Sequence, residues 1–257
     1  MTGNEQLGPS AEHNRRAWDQ QADAYQERHA GQLADSGGAA WGLWQVPETR
    51  LQVLGDVRGR DVLELGCGAA KWSIALAAAG ARVTGLDNSA RQLEHARKLM
   101  AAAGVEFPLA HASAEATPFA DDSFDVVFCD YGAMTFADPQ LTVPEVARVL
   151  RPGGLFAFSS HTPVLELTWP IGAEHPGTTL VCDYWSMHAI EEPGEPISFQ
   201  IPYGEWIRLF RRNGFVIEDL IELRPEAGAE SSYRDERDRD WARRWPMEHI
   251  WRLRRTG

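Results

Sequence analysis

The sequence is poor in the features that mark secreted, metal-bound and membrane proteins. It has three cysteines among 257 residues, Cys67, Cys129 and Cys182, and no CxxC pair. This spacing disfavours a disulfide framework and a structural zinc site, and it suits a reducing compartment. There is no run of about 18 apolar residues, and the first 16 residues lack the apolar core of a signal peptide. We therefore expect a cytoplasmic protein without a membrane span and without a bound metal.

Positive charge is also scarce. The 25 Lys and Arg residues face 37 Asp and Glu residues, so the formal net charge is −12. A nucleic-acid backbone needs a basic surface, and we find no basic stretch interleaved with aromatic residues. We expect no nucleic-acid or membrane partner, a small molecule as ligand, and a monomer or a homodimer.

Short apolar runs alternate with helical patterns along the chain. Strands are predicted at "DVLEL", "RVTGLD", "VEFPLAHA", "SFDVVFCD", "GLFAFSS", "FVIEDLIEL" and "HIWRLRR". A helix between the fourth and fifth strands contains Pro144 near its start, and Pro108 suits a sheet edge or a strand end better than the centre of the sheet. The alternation predicts a single α/β domain with a seven-stranded, mostly parallel sheet and helices on both faces. Such a sheet binds ligands beyond the carboxyl ends of its strands.

Four segments follow from this pattern. Residues 1–58 are predicted as a helical cap: a helix with Trp18, Ala22, Tyr25 and His29 on one face, a flexible stretch at 34–42 and a second helical stretch at 46–57. Residues 59–160 form the ligand-binding core. Residues 161–203, rich in Pro, Gly and aromatic residues, are too long for a plain connection, so we predict a lid with some strand at 196–203. Residues 204–257 complete the α/β core.

A glycine turn follows the first strand of the core. Glu64 stands two residues before Gly66-Cys67-Gly68, and the third glycine of a dinucleotide-binding GxGxxG is replaced by Lys71. A pyrophosphate would repel Glu64, whereas a nucleoside with a zwitterionic amino-acid tail needs a carboxylate near its cationic end. Asp87 ends the next strand, 23 residues later, where it can accept hydrogen bonds from ribose hydroxyls. Cys67, at the helix start, is interpreted as a small packing residue rather than a reactive thiol.

Three stretches in this order resemble the class I S-adenosylmethionine-dependent methyltransferases, and more narrowly their small-molecule branch. They are "DVLELGCGAAKWSIALAAAGARVTGLDNSARQLEHAR", "ASAEATPFADDSFDVVFCD" and "EVARVLRPGGLFAFSS". The resemblance implies a Rossmann-like fold, S-adenosyl-L-methionine as cofactor and S-adenosyl-L-homocysteine as product. It implies cofactor contacts from the residues that occupy the family's motifs: Glu64, Gly66, Cys67, Gly68, Asp87, Asn88, Ser113, Ala114, Glu115 and Asp130.

The sequence departs from the family's pattern at three places. Ala70 stands where the glycine turn usually has its last glycine. The family's D-A-E motif reads Ser113-Ala114-Glu115, which removes the charge of its first acid. Met134 and Thr135 stand where relatives often carry a pair of histidines, so any role of those histidines does not transfer.

The implied reaction is an in-line methyl displacement, in which the protein aligns and desolvates the reactants and a base removes a proton where the nucleophile needs one. The catalytic candidates follow strands four and five: Asp130, Tyr131 and His161, with His188 of the lid as an alternative base. Each has a structural alternative as a turn cap, a packing residue or a loop residue.

Aromatic residues of the cap and lid predict an apolar acceptor pocket. The predicted acceptor contacts are Trp18, Tyr25, Trp41, Trp44, Met134, His161, Trp185 and His188. The sequence therefore predicts methyl transfer to an O, N or C nucleophile of a small molecule, such as an aromatic secondary metabolite. The alternatives are an RNA or protein methyltransferase, a nicotinamide-dependent oxidoreductase, and a non-catalytic protein that binds the same cofactor.

Overall fold

A seven-stranded mixed sheet forms the centre of the computed structural model, which describes residues 7–35 and 39–257. The strands found in these ranges are β1 (Ala40–Trp41), β2 (Val46–Pro47), β3 (Asp61–Leu65), β4 (Arg82–Asp87), β5 (Leu109–His111), β6 (Phe124–Asp130), β7 (Leu150–His161), β8 (Ala189–Ile190), β9 (Ser198–Phe199), β10 (Phe215–Leu223) and β11 (Glu248–Arg255). The large sheet has the order β10-β11-β7-β6-β3-β4-β5. Only β11 runs antiparallel to its neighbours β7 and β10, so the predicted mostly parallel sheet is confirmed.

Helices cover both faces of this sheet. Over the described residues they are α1 (Pro9–Asp35), α2 (Glu48–Leu51), α3 (Lys71–Ala78), α4 (Ala90–Ala103), α5 (Gly132–Phe136), α6 (Pro139–Val149), α7 (Pro163–Thr168), α8 (Tyr203–Arg212) and α9 (Glu236–Ala242), with a 3-10 turn at Tyr184–Ser186. None of the helices in the part of the chain that the structure describes is long and apolar enough to cross a membrane.

Local sequence signals account for the regular elements of the core. The four inner residues of β3 are buried, because both faces of a parallel sheet are covered. Helix α4 begins where Ser89 Oγ accepts a hydrogen bond from Gln92 N, and it ends at Gly104 in the left-handed conformation, as predicted. Strand β5 lies at the sheet edge, also as predicted.

Other boundaries differ from the sequence-based predictions. Helix α6 starts at Pro139 with Asp138 as its cap, so Pro144 lies inside the helix rather than near its start. The predicted helical stretch 46–57 reduces to α2, because Gln52 adopts a left-handed φ of 52° and ends the helix. The short helices α5, α7 and α9 were not predicted. Residues 36–38 of the predicted flexible stretch lie outside the described residues.

Helix α1 lies across the carboxyl ends of the parallel strands. Asn88, directly after β4, donates to Ala11 O (2.8 Å), and Ser89 Oγ donates to Asp19 (2.7 Å). Asn14 is buried and its amide nitrogen donates to Phe136 O (2.7 Å) and Ile197 O (2.8 Å). One helix therefore ties together the end of β4, helix α5 and the lid segment (residues 161–203).

Candidate functional site

A cavity of about 1250 Å³ lies at the carboxyl ends of the parallel strands, under α1 and the lid segment. It brings together most of the residues that the sequence singled out. Those that line it are Trp18, Tyr25, Glu64, Gly66, Cys67, Gly68, Asp87, Asn88, Ser113, Ala114, Asp130, Tyr131, His161 and His188.

The glycine turn is shaped by a close approach between two loops. Gly66 has a φ of +68°, and a Cβ built on it would lie 2.3 Å from Ala133 N. Gly132 lies on the other side of the same contact, since a Cβ built on it would lie 2.5 Å from Gly66 O. Ala70 adopts a left-handed φ of 57° at the start of α3, the conformation that a glycine takes without strain. Sterics therefore account for the glycines, independently of any ligand.

Glu64 is buried near the end of β3 and faces α3. Its Oε2 accepts hydrogen bonds from Ser73 N (3.0 Å) and Ser73 Oγ (2.5 Å). Burial raises the pKa of Glu64 to about 8, although the bonds from Ser73 lower it, and the charges of Asp130 and Asp87 raise it further. The carboxylate thus positions α3, and a cationic group in the cavity would favour its ionised form.

Asp87 joins the glycine turn to the start of α4. Its Oδ2 accepts from Gly68 N (2.7 Å) and its Oδ1 from Ser89 N (2.8 Å). Burial raises the pKa of Asp87 to about 6. Because a carboxylate offers about four lone-pair sites, two remain for hydroxyl donors in the cavity.

The residues after β5 divide between the cavity and the scaffold. Ser113 and Ala114 are buried and line the cavity. Glu115 does not line it: its Oε1 accepts from Asp138 N (3.0 Å), the residue that caps α6. The cofactor contact predicted for Glu115 is therefore not found in this geometry, because its side chain turns towards α6.

Asp130, the last residue of β6, and Tyr131, which follows it, lie on the opposite side of the turn. Asp130 accepts hydrogen bonds from Ser159 Oγ (2.5 Å), Gly42 N (2.9 Å) and Trp72 Nε1 (3.3 Å), and burial raises its pKa. Three donors use most of its acceptor capacity, which favours a positioning role over proton transfer. Tyr131 has a φ of +61°, a strained conformation for a non-glycine residue.

Glu248 holds the cavity residue Tyr131 from behind, and sequence reasoning missed it. It is fully buried at the start of β11; its Oε2 accepts from Leu43 N (2.7 Å) and from the Tyr131 hydroxyl (3.0 Å). Burial raises the pKa of Glu248 to about 8. The available signal was an acid next to the apolar strand "HIWRL", the same pattern that singled out Glu64.

His161 ends β7 and lines the cavity beside Glu166 of α7. The distance from His161 Nε2 to Glu166 Oε1 is 3.0 Å, but the ring N–H is not aligned on the carboxylate, so His161 Nε2 has no hydrogen bond among the described residues. His188 lies farther out, half exposed, with Nε2 3.2 Å from Asp138 Oδ1. Of the two histidines, His161 is the buried one.

Four of the predicted acceptor contacts lie outside the cavity lining. Trp41 is buried in the core against Trp72 (ring centroids 4.9 Å apart), and Trp44 belongs to a separate buried cluster with Leu165. Met134 is buried in the main core, whereas its neighbour Thr135 lines the cavity. Trp185 is 77 % exposed on the lid surface. The structure therefore does not place these four side chains at the cavity, because residue type does not reveal which side of a helix or loop faces it.

An aromatic wall (Trp18, Tyr25, Phe136 and Tyr233) lines the cavity where α1 meets the C-terminal segment. Trp18 packs edge-on against Tyr25 and Phe136, and the hydroxyls of Tyr25 and Tyr233 lie 3.0 Å apart. Such faces bind planar or cationic groups. Phe136 and Tyr233 were not predicted, because they approach α1 only in the folded chain.

Comparisons with known proteins agree with this architecture. Residues 63–158 match the family model described as a methyltransferase domain. A demethylmenaquinone methyltransferase from Clavibacter sepedonicus is 42 % identical over 113 residues, which are 44 % of this chain and 44 % of that protein. A ubiquinone biosynthesis O-methyltransferase from Aromatoleum aromaticum is 41 % identical over 104 residues, 40 % of this chain and 44 % of that protein. The chain thus spans less than half the length of these curated relatives.

Solved structures cover more of the chain. An S-adenosylmethionine-dependent methyltransferase from Mesorhizobium loti is 25 % identical, with a TM-score of 0.66 over 83 % of this chain and 100 % of that one. The (4+2) cyclase SpnF is 17 % identical, with a TM-score of 0.65 over 97 % of both chains, and this likeness is one of fold alone. Residues 63–158 thus match a methyltransferase domain, and the chain is similar in fold to the S-adenosylmethionine-dependent methyltransferase from Mesorhizobium loti.

Proposed function

We propose that this protein transfers a methyl group from S-adenosylmethionine to an O, N or C nucleophile of a small molecule, such as an aromatic secondary metabolite, in the cytoplasm. The observation that carries this proposal is the continuity of the cavity, in which the glycine turn and Asp87 share one space with the aromatic wall. The printed names of the quinone methyltransferases support a small-molecule acceptor. A solved structure with a similar fold is named as a cyclase, and one fold hosts many chemistries, so methyl transfer has to be measured directly.

The cavity residues fit the cofactor in charge. Glu64, Asp87 and Asp130 are buried carboxyls with raised pKa values. A positively charged group among them would stabilise their ionised forms and reduce their mutual repulsion. We propose that Glu64 faces the amino-acid end, Asp87 the ribose, and Asn88, Ser113 and Ala114 the adenine. When bound, the cofactor supplies an activated methyl group.

The four segments then divide the work. We propose that residues 59–160 hold the cofactor, that residues 1–58 cover it, that the lid segment holds the acceptor, and that residues 204–257 complete the sheet. The hydrogen bonds of Asn14 to Phe136 and Ile197 support this division, because they join cap, core and lid. Enclosure of the cavity by the cap, the core and the lid excludes water and aligns the acceptor. The oligomeric state, a monomer or a homodimer, stays a prediction.

His161 is our candidate for the base that accepts a proton from the acceptor. It is buried, it lines the cavity, and its Nε2 has no other hydrogen bond in the described chain. Glu166, 3.0 Å away, would stabilise the imidazolium that forms. Tyr131 lines the same cavity, but burial raises its pKa well above its ordinary value and its one hydroxyl proton is donated to Glu248, so it is a weaker candidate for the base.

The enclosing cap and lid favour a small molecule over RNA or a protein, because a polymer would have to displace α1. A test begins with calorimetric titration of S-adenosylhomocysteine, with NAD as comparator. S-adenosylhomocysteine formation is then measured with a panel of reduced quinones, phenols and aromatic amines, using His161→Ala and His95→Ala, a control histidine outside the cavity lining. Binding without turnover on any acceptor would favour the non-catalytic alternative, and tighter binding of NAD would overturn the proposal.

A further inference from the structure

Arg234 is a half-buried cation on the wall of the cavity, one residue before the cap of α9. Its guanidinium carbon lies 4.5 Å from the centroid of the Trp169 ring, and Trp169 lines the cavity as well. A guanidinium over an aromatic ring is attracted to the face of the ring, and this contact does not use its N–H donors. The ring of Trp169 therefore positions the guanidinium and leaves its hydrogen-bonding capacity free.

The folded chain supplies no polar partner for this guanidinium. Over the residues that the structure describes, Arg234 donates no hydrogen bond and has no carboxylate within ion-pair distance, and its Nε is buried without a partner. The adjacent carboxylate of Asp235 is engaged elsewhere: it accepts from Asp238 N (3.0 Å) and lies 3.7 Å from His175 Nε2. Unlike Nε, the two terminal nitrogens of Arg234 are not buried, so a ligand in the cavity can reach them.

Arg234 borders the part of the cavity that follows β6. Burial raises the pKa of Tyr131 well above its ordinary value and the charge of Glu248 raises it further, whereas the charge of Arg234 lowers it, so the guanidinium acts on this hydroxyl. Tyr131 and Trp169 also pack against the same buried cluster. Tyr233, the residue before Arg234, belongs to the aromatic wall. The unpaired guanidinium and the aromatic wall are thus consecutive in the chain and line one space.

The other charges of the lining distinguish this position from the rest of the cavity. Two further cations line it: Lys71 at the start of α3, beside the glycine turn, and Arg28, exposed on α1. The lid segment contributes acids instead, among them Glu166 and Glu192. An anionic group would be repelled beside these acids, whereas at Arg234 it would meet an unpaired cation.

We propose that the methyl acceptor carries a carboxylate, which binds the two terminal nitrogens of Arg234 while its aromatic body packs on the aromatic wall. This inference rests on the proposed function. The planar fork of a guanidinium matches a carboxylate and donates two parallel, charge-assisted hydrogen bonds to it. The carboxylate at the amino-acid end of the cofactor is another source of the same chemistry, and the experiment separates the two.

The test compares two acid–amide pairs of nearly equal shape on protein saturated with S-adenosylhomocysteine: indole-3-acetate with indole-3-acetamide, and 4-hydroxyphenylacetate with 4-hydroxyphenylacetamide. We expect at least one acid to bind about tenfold or more tighter than its amide, and this preference to shrink in about 0.5 M sodium chloride. Arg234→Gln should abolish the preference, whereas Arg234→Lys should retain part of it, because lysine keeps the charge but not the fork. The matched control is Arg237→Gln, since Arg237 is exposed and lies outside the cavity lining.

Three results would overturn the inference: equal affinities within both pairs, no binding of either acid at about 5 mM, or an unchanged preference in Arg234→Gln. An unchanged preference together with weaker binding of S-adenosylhomocysteine by this variant would assign Arg234 to the cofactor. A variant that only loosens the lid weakens acid and amide alike, so the ratio of the two affinities reports on the charge itself. Failure of the proposed function is a separate result, because wild-type protein would then not bind S-adenosylhomocysteine at the start.

Discussion

The hydroxyl of Tyr131 lies 3.0 Å from Glu248 Oε2 and donates a hydrogen bond to it across 117 residues of sequence. Tyr131 reaches this position with a φ of +61°, and Glu248 is fully buried at the start of the antiparallel strand β11. Leu43 N donates to the same oxygen. One carboxyl therefore joins the residue after β6, the segment after β1 and the last strand.

This relationship predicts coupling between the two side chains. Tyr131→Phe should lower the free energy of unfolding by about 1 kcal/mol, because Glu248 loses one of its two donors. In the Glu248→Gln background, the same change should cost measurably less. Urea unfolding of the single and double variants gives the coupling energy. Strictly additive effects would show that the hydrogen bond does not contribute to stability.

The close approach at the glycine turn gives a second prediction with a matched control. Gly66 and Gly55 have the same φ of +68°, but a Cβ on Gly66 would lie 2.3 Å from Ala133 N, whereas nothing lies within 4 Å of a Cβ on Gly55. Gly55→Ala should cost about 1 kcal/mol from backbone strain alone. Gly66→Ala should cost more than about 3 kcal/mol. Thermal unfolding of both variants measures the difference, and equal losses would mean that the turn can open.

The cofactor role of Asp87 is testable by binding. Asp87→Asn should weaken S-adenosylhomocysteine about 10- to 100-fold, because it removes a charge-assisted acceptor. Asp219→Asn is the control, since Asp219 is exposed on β10 and bonds only Leu220 N. Calorimetry on variants with native thermal transitions separates lost binding from lost folding. Unchanged affinity in Asp87→Asn would remove the ribose contact from the proposal.

The raised pKa values of Glu64 and Glu248, each about 8, predict how stability depends on pH. Between pH 7 and 8 these groups still bind protons in the folded protein but not in the unfolded chain. The free energy of unfolding therefore falls as pH rises through this window. Buried His249, whose pKa is lowered to about 3, is neutral in the folded protein and mostly neutral in the unfolded chain there, so its contribution of opposite sign is small.

Urea unfolding at pH 7 and pH 8 measures this fall. Glu64→Gln should make it shallower, because the amide does not titrate. Glu218→Gln is the control, because Arg254 lowers the pKa of Glu218 and this acid does not titrate between pH 7 and 8. The variant should leave the fall unchanged. A wild-type stability that is flat or rising between pH 7 and 8 would contradict the prediction.

Short-range patterns were sufficient for the core of the fold. The strand "DVLEL", the cap at Ser89 and the stop at Gly104 were predicted and found. An apolar run, a capping hydrogen bond and a glycine in the left-handed conformation each involve only a few neighbouring residues. The weak predictions were those of helix boundaries outside these signals. The helical stretch 46–57 and the start of α6 are examples, since their ends depend on single residues such as Gln52 and Asp138.

By itself the sequence determined the α/β architecture, the glycine turn and the acids at the ends of β3 and β4, because each of these has a local physical cause. Only the tertiary structure decided which side chains share the cavity. It placed Thr135 there and Met134 in the core, brought Glu248 to Tyr131, and brought Tyr233 to Tyr25. These contacts join residues far apart in the chain, and long-range packing of helix and lid, rather than any local pattern, determines which atoms meet.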